Sequence, residues 1–214
     1  MLQMRVFPDP ILRQRARKVT QFDAKLAQLA ADMEETMNAH HGVGLAANQV
    51  GVLQRVCVVK MEDWEEALVL VNPEIMRREG LREVEEGCLS LPGYRGMVNR
   101  SERIRVRYQD ITGKQQRLRA ECMLAQAIEH ETDHLNGILY LDHLIAHDQF
   151  FRIHVNEDGD VEYLPTGEPD AAELEAAAQR MNRRNAEPRS NLPQFDPSNG
   201  RPATRQADDA TVAD

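Results

Sequence analysis

The stretch Glu129-His130-Glu131-Thr132-Asp133-His134-Leu135-Asn136-Gly137 contains the pattern H-E-x-x-H, and the run before it, Glu121 to Ile128, reads as helix. A helix turns about 100° per residue, so His130 and His134 fall roughly 40° apart on one face, with Glu131 in the same arc. Two imidazoles at that spacing can hold one metal ion, and the carboxylate beside them can act on a water bound to it. The same five-residue pattern also arises by chance. A catalytic site of this kind needs a third protein ligand, which the upstream sequence has to supply.

Upstream of the helix the chain reads mostly as strands. Glu102 to Gln109 alternates, with Ile104, Val106 and Tyr108 on one face. Asp110 to Gly113 is a turn, and Lys114 to Arg119 returns as a hairpin partner. Arg55 to Lys60, Leu68 to Asn72, Glu74 to Arg78 and Arg82 to Glu86 are short and partly alternating. A turn is expected at Pro92-Gly93. Further upstream, Leu26, Leu29, Ala30, Met33 and Met37 recur at helical spacing between Gln21 and Asn38, an amphipathic helix whose methionines are packing. Asp9-Pro10 reads as a cap and first position of a short helical turn. The order helix, strands, helix predicts an α+β fold, with the metal-binding helix across a mostly antiparallel sheet.

Downstream, composition changes after about Phe151. Asn156 to Asp160 reads as a turn, Ala171 to Arg184 as helix, and the end from Asn185 onward as disordered. The expected organisation is a catalytic unit over residues 1–150 and a C-terminal extension over 151–214.

The 214 residues suit one domain of ordinary size with a tail. A formal net charge of −9 and a sequence pI near 5.3 argue against a generic nucleic-acid binder, DNA included, though not against a local basic patch. No run approaches the ~18 apolar residues of a membrane span, and no signal or transit pattern opens the chain. Three cysteines, Cys57, Cys88 and Cys122, form no disulfide framework and fit a reducing cytoplasm. Cys88 is the best candidate for the third ligand, since it stands at a strand end between Gly87 and a turn. Cys57 lies in an apolar run as a core hydrophobe, and Cys122 sits eight residues before His130, too far along the helix axis.

Three segments together resemble, in order and spacing, the signature motifs of the peptide deformylase family. They are Gly42-Val43-Gly44-Leu45-Ala46-Ala47-Asn48-Gln49, Glu86-Gly87-Cys88-Leu89-Ser90 and His130-Glu131-Thr132-Asp133-His134-Leu135. The resemblance covers residues 4 to 147. It implies a compact α+β fold and removal of the formyl group from N-formylmethionine on new bacterial polypeptides. It also implies one divalent metal, ferrous iron first, with zinc, nickel or cobalt as alternatives. Carried over residue by residue, Cys88, His130 and His134 would bind the metal and Glu131 would move the proton. The Gln49 amide and the Leu89 backbone N–H would stabilise the oxyanion. Val43, Gly44 and Leu45 would line the substrate's path, with Glu86 and Arg95 near the pocket. The family also implies docking near the ribosomal exit tunnel through its C-terminal extension, for which Arg180 to Arg189 is the candidate segment.

This chain departs from the family at Asn48, where Pro or Thr is usual, at Glu129, where Gln is usual, and at Gln126, where the methionine pocket tends to be apolar. Arg95 and Arg100 are the cations expected to offset Glu129 beside Asp133. The Gly-rich loop is no phosphate loop, because Gln49-Val50 stands where Gly-Lys-Ser/Thr would be needed. His143 and His147 lack a third ligand and read as solvated or capping. Arg103, Arg105 and Arg107 read as the wet side of a strand. Two competing functions remain. An internal-cutting metallopeptidase would need a downstream His or Glu ligand, and a non-catalytic binding module would have lost Cys88, Glu131 or Gln49.

Overall fold

The computed structural model describes residues 1–156, 160–186, 195–196 and 201–202. The fold is α+β, as expected, but with two antiparallel sheets in place of one. The first holds β1 (Gly44–Ala46), β2 (Val56–Val59), β3 (Leu68–Glu79), β6 (Arg103–Gln109) and β7 (Gln115–Glu121), in that order across the sheet. The second holds β4 (Arg82–Cys88), β5 (Leu91–Arg100), β8 (Phe150–Val155) and β9 (Val161–Pro165). Three helices accompany them: α1 (Ala24–Ala39), α2 (Cys122–His134) and α3 (Ala171–Ala186).

Strand β2, Val-Cys-Val-Val, is buried along its whole length because it is covered on both faces. Cys57 and Val59 meet Ala125 and Ile128 of α2, together with Ile104, Val106 and Ala120. Val56 and Val58 point the other way, into a cluster with Leu26, Met33 and Met37 of α1 and with Leu45. Helix α1 begins three residues later than its periodicity predicts, where the Asp23 carboxylate accepts from the Lys25 and Leu26 amides at 3.0 and 3.1 Å. A third cluster, under the second sheet, joins Val84, Leu91, Tyr94 and Val98 to Tyr140, Phe150 and Leu174 of α3.

Two expectations change. Leu68 to Asn72 and Glu74 to Arg78 form one strand, which runs through Asn72-Pro73 by a β-bulge. Asn72 takes φ +53° there, and its side chain accepts from the Val19 amide and donates to the Val19 carbonyl. The expected turn at Pro92-Gly93 lies instead at Leu89-Ser90, and Pro92 and Gly93 are inside β5, with Gly93 at φ +85°. The boundary expected at residue 150 falls on the first residue of β8, which pairs with β5 through Gly96↔Phe150 and Tyr94↔Arg152. Of the turn expected over Asn156 to Asp160, residues 157–159 lie outside the described ones. The disorder expected from Asn185 onward falls largely outside them too; there the structure describes a two-residue pair, Phe195–Asp196 with Arg201–Pro202.

Candidate metal centre and active site

Helix α2 carries two of the three expected ligands on its buried face, and β4 delivers the third at its last residue. Cys88 Sγ stands 3.1 Å from His134 Nε2, which in turn is 3.2 Å from His130 Nε2. One donor atom from each of the three lies within 4.8 Å of the others. Among the described residues no downstream His or carboxylate joins this group, so the ligand set required by the internal-cutting peptidase is not assembled. Cys57 is buried in the core as expected, and Cys122 is exposed at the start of α2.

A network behind the ligands fixes their orientation. His130 Nδ1 is 2.9 Å from Glu86 Oε2, and Arg100 grips the same carboxylate with two bonds, Nε to Oε1 at 2.8 Å and Nη2 to Oε2 at 3.0 Å. The third Arg100 nitrogen reaches Asp133 at 2.5 Å, and Asp133 also faces His143 Nε2 at 3.1 Å. Burial alone would raise the Glu86 pKa, but bonds from His130 and Arg100 outweigh it and bring it to about 2. Burial disfavours charge on His130, yet its bonds to Cys88 and Glu86 hold its pKa well above the usual value. Burial and the neighbouring His130 push His134 the other way. The site therefore accommodates positive charge between the imidazoles and Cys88, and this donor set of one sulfur and two imidazoles fits a divalent metal.

Glu131 is the odd member. It is 3 % exposed, its Oε2 has no hydrogen-bond partner among the described residues, and burial raises its pKa to about 7. A buried carboxylate without a partner is costly, and this one lines the same cleft as Cys88 and His130. Gly44 makes room for it, since a Cβ on Gly44 would collide with the Glu131 carboxylate.

The other expected residues gather around the same cleft of about 560 Å³, which Val43, Gly44, Gln49, Glu86, Leu89 and Arg95 line together with Cys88, His130 and Glu131. Gln49 is buried in a short 3-10 turn after β1. Its Oε1 accepts from the Ala46 amide at 2.8 Å, which leaves Nε2 aimed at Cys88 Sγ (3.4 Å) and Ser90 Oγ (3.2 Å). Leu89 occupies the turn between β4 and β5, directly after Cys88. Leu45 differs from its expected place: its side chain is fully buried in the α1 cluster, and its outward neighbours Val43 and Gly44 reach the cleft.

The cation expected beside Glu129 is also different. Arg78 Nε donates to Glu129 Oε1 at 2.8 Å, and Ser101 donates from its amide (2.8 Å) and its hydroxyl (3.0 Å). Arg100 is held by Glu86 and Asp133, and Arg95 lies across from Glu85 at 3.5 Å. Gln126 lines the cleft with its amide tied back, donating to the Glu85 carbonyl and accepting from Arg82 Nη2, each at 3.1 Å. His143 pairs with Asp133 and is no ligand. Sequence reasoning did not single out Asn48 as a contributor, yet its buried amide donates to the His134 carbonyl at 2.5 Å. A polar residue in the otherwise apolar Leu45-Ala46-Ala47 run was the available signal.

Known proteins are similar to this chain in sequence and fold. The family model described as polypeptide deformylase matches residues 1–150. A peptide deformylase of Dehalococcoides mccartyi is 49% identical over 146 residues, covering 68% of this chain and 87% of that relative. The crystal structure of peptide deformylase from Thermotoga maritima superposes with a TM-score of 0.66 at 41% identity, over 68% of this chain and 99% of that one. A peptide deformylase from Legionella pneumophila matches 88% of this chain and 99% of its own, at 34% identity and a TM-score of 0.66. With that family model over residues 1–150 and relatives at 41–49% identity, the chain belongs to the polypeptide deformylase family.

Proposed function

We propose that this enzyme removes the formyl group from the N-terminal methionine of newly made polypeptides and releases formate. The observation that carries the reading is the convergence of Cys88, His130 and His134 beside the buried, unpartnered Glu131 carboxylate. When bound by those three residues, a divalent metal supplies Lewis acidity toward a water and the formyl oxygen. Ferrous iron is our first assignment, and the sulfur and imidazole donors also suit zinc, nickel or cobalt.

The protein's own groups divide the remaining work. Glu131 takes a proton from the attacking water at its free Oε2 and returns one to the departing amine, a task served by a pKa near neutrality. The Gln49 Nε2–H, aimed into the site, and the Leu89 backbone N–H stabilise the charge that develops on the formyl oxygen. Glu86 and Arg100 hold His130 in one orientation. The peptide itself runs along Val43 and Gly44. Support for this path comes from β1, an edge strand of its sheet whose outer side borders the cleft and can pair with an extended main chain. Leu45 contributes backbone alone, and Arg95 and Glu86 border the far side.

Residues 1–150 form the catalytic part in this reading; the 151–214 extension includes the rest of β8, which pairs with β5, and β9 and α3, whose Leu174 joins the core beneath the second sheet. Free cysteines agree with a reducing cytoplasm, and no helix of the described residues is long and apolar enough to cross a membrane. Docking of the extension near the ribosomal exit tunnel is retained as a proposal; its candidate segment, Arg180 to Arg189, lies partly outside the described residues. The decisive test is formate release from formyl-Met-Ala-Ser by anaerobically purified protein, with metal determined on the same sample. Formate with about one metal per chain is the expected result. Cleavage of internal peptide bonds without formate would overturn it.

A further inference from the structure

The outer face of β6 and β7 is crowded with like charge. Arg105 stands directly opposite Arg119 on β7 and opposite Arg77 on β3, and Arg107 stands opposite Arg117. These side chains project away from α2, which packs on Ile104, Val106 and Ala120 of the other face. Like charges directly across an antiparallel pair destabilise it. Strand β7 is an edge of the sheet, and edge strands often carry charge to prevent pairing with other chains. That role explains Arg117 and Arg119; on β6, which is paired on both sides, Arg105 and Arg107 meet Glu79 at 3.7 Å and Glu74 of β3 respectively, two carboxylates for the five guanidinium groups of Arg77, Arg105, Arg107, Arg117 and Arg119. Charges of alternating sign would also guard an edge without the repulsion.

Two concavities frame this face and meet at Arg107. One, of about 730 Å³, is lined by Arg15, Lys18, Arg55 and Arg107 among its cations. The other, of about 440 Å³, is lined by Arg105, Arg107, Arg117 and Arg119. Glu74 is the one carboxylate lining either, and it is paired with Arg107 at 2.5 Å. Arg15, Lys18, Arg117 and Arg119 form no ion pair among the described residues. In a chain of net charge −9, seven cations against one carboxylate is a marked local inversion.

From this we infer that the β6–β7 face and its two clefts bind the phosphate backbone of single-stranded RNA. Guanidinium forks match phosphate oxygens two at a time. The strands space them about 4.8 Å apart across the sheet and about 6.8 Å along it. Of the residues lining the clefts, Tyr108 alone is aromatic, so phosphate contact rather than base stacking supplies the binding and sequence matters little. A membrane surface is a poorer fit, because Met76 is the one large exposed apolar residue beside the arginines. Choosing RNA among polyanions rests on the proposed substrate, a newly made chain, which emerges beside RNA. The face lies across the sheet from α2 and the metal ligands, so its occupation leaves the catalytic cleft open.

The test uses the full-length enzyme and a fluorescent oligouridylate, with formate release from a short formyl peptide measured on the same samples. Expected is binding at low salt whose logarithm falls with the logarithm of salt concentration, by about 0.7 per phosphate contacted. The double variant Arg117→Gln/Arg119→Gln is expected to bind at least tenfold more weakly, with a shallower salt slope and unchanged formate release. No binding by the wild type, or equal binding by the double variant, overturns the inference. Polyglutamate binding as tightly as oligouridylate also overturns it and assigns the face to an acidic protein. Loss of formate release in the wild type would instead count against the proposed function, whatever the RNA result.

Discussion

Gly44 and Glu131 touch so closely that a single methyl group on the glycine would occupy space held by the glutamate's carboxylate. Strand β1 thus limits where the Glu131 carboxylate, whose Oε2 has no hydrogen-bond partner among the described residues, can sit. Gly44→Ala is expected to push Glu131 aside while leaving Cys88, His130 and His134 in place. Metal content should stay at the wild-type level and kcat should fall by about 10²-fold or more, approaching Glu131→Gln, for which a loss of about 10²–10⁴-fold is expected. Full activity in Gly44→Ala, measured by formate release, would show that Glu131 has room to move and does not depend on the glycine.

Cys88 and Cys57 are both buried, but only Cys88 lies within reach of the two imidazoles. Cys88→Ser is expected to lose most bound metal, because a hydroxyl is a poor ligand at neutral pH where a thiolate binds tightly. Cys57→Ala removes one small buried group among Val59, Leu70 and Ile104. It should cost about 1–2 kcal/mol of stability and leave metal content unchanged. Elemental analysis of both variants, beside their melting temperatures, separates ligand from core residue.

How much of this was legible in the chain follows from the range of each interaction. His130, Glu131 and His134 lie within five consecutive residues of one helix, so their convergence is local geometry. Cys88 was recognisable by its place at a strand end. The grip of Arg100 on Glu86 and Asp133, and of Arg78 on Glu129, depends on which strands are neighbours and in what register. Spacing along the chain carries none of that. Pro92-Gly93 misplaced a turn because the pair usually ends strands, whereas Gly93 at φ +85° sits in open space within β5. Strand β9 gave no signal, since every residue from Val161 to Pro165 is exposed and no apolar alternation marks it.

The C-terminal extension is bonded to the catalytic part at several points. Leu174 is fully buried, the Tyr94 hydroxyl accepts from the Asp170 amide at 2.9 Å, and Asn182 exchanges two hydrogen bonds with the Met4 backbone. Burying Leu174 contributes about 1.5–3 kcal/mol and each hydrogen bond about 1 kcal/mol, a sizeable part of a typical 5–15 kcal/mol. A chain ending at residue 150 should therefore melt at least about 10 °C lower than the full-length protein. One ending at residue 186 should melt within a few degrees of it. Equal melting of all three would mean that α3 docks without stabilising the domain.

His143 gives the fold a pH-dependent link. Its bond to Asp133 outweighs partial burial and raises its pKa above the ordinary value. A group with a raised folded-state pKa stabilises fully below its unfolded value, about 6.5, and the contribution is lost as pH rises through the folded value. The difference in melting temperature between wild type and His143→Gln should accordingly be larger at about pH 6 than at about pH 9. A difference that grows with pH would place the proton elsewhere.

Glu129 directly precedes His130, and its surroundings explain why a charge is tolerated there. The carboxylate is 4 % exposed and satisfied on both oxygens, by the amide and hydroxyl of Ser101 and by Arg78. Arg78 itself is half exposed, so it covers a buried anion with a cation that keeps contact with water. Glu129→Gln can still accept from the Ser101 amide, and its new N–H can donate to the Ser101 hydroxyl. Only the Arg78 contact is lost, and that side chain can turn to solvent. Metal content should remain full and kcat/KM should change by less than about tenfold, a limit of about 1.4 kcal/mol. Arg78→Ala is the harsher change, because it leaves the buried carboxylate without its cation. It should lower the melting temperature more than Glu129→Gln does, and the double variant should recover most of that difference. Loss of metal in Glu129→Gln, or a double variant no more stable than Arg78→Ala, would show that Glu129 supports the metal site through its charge.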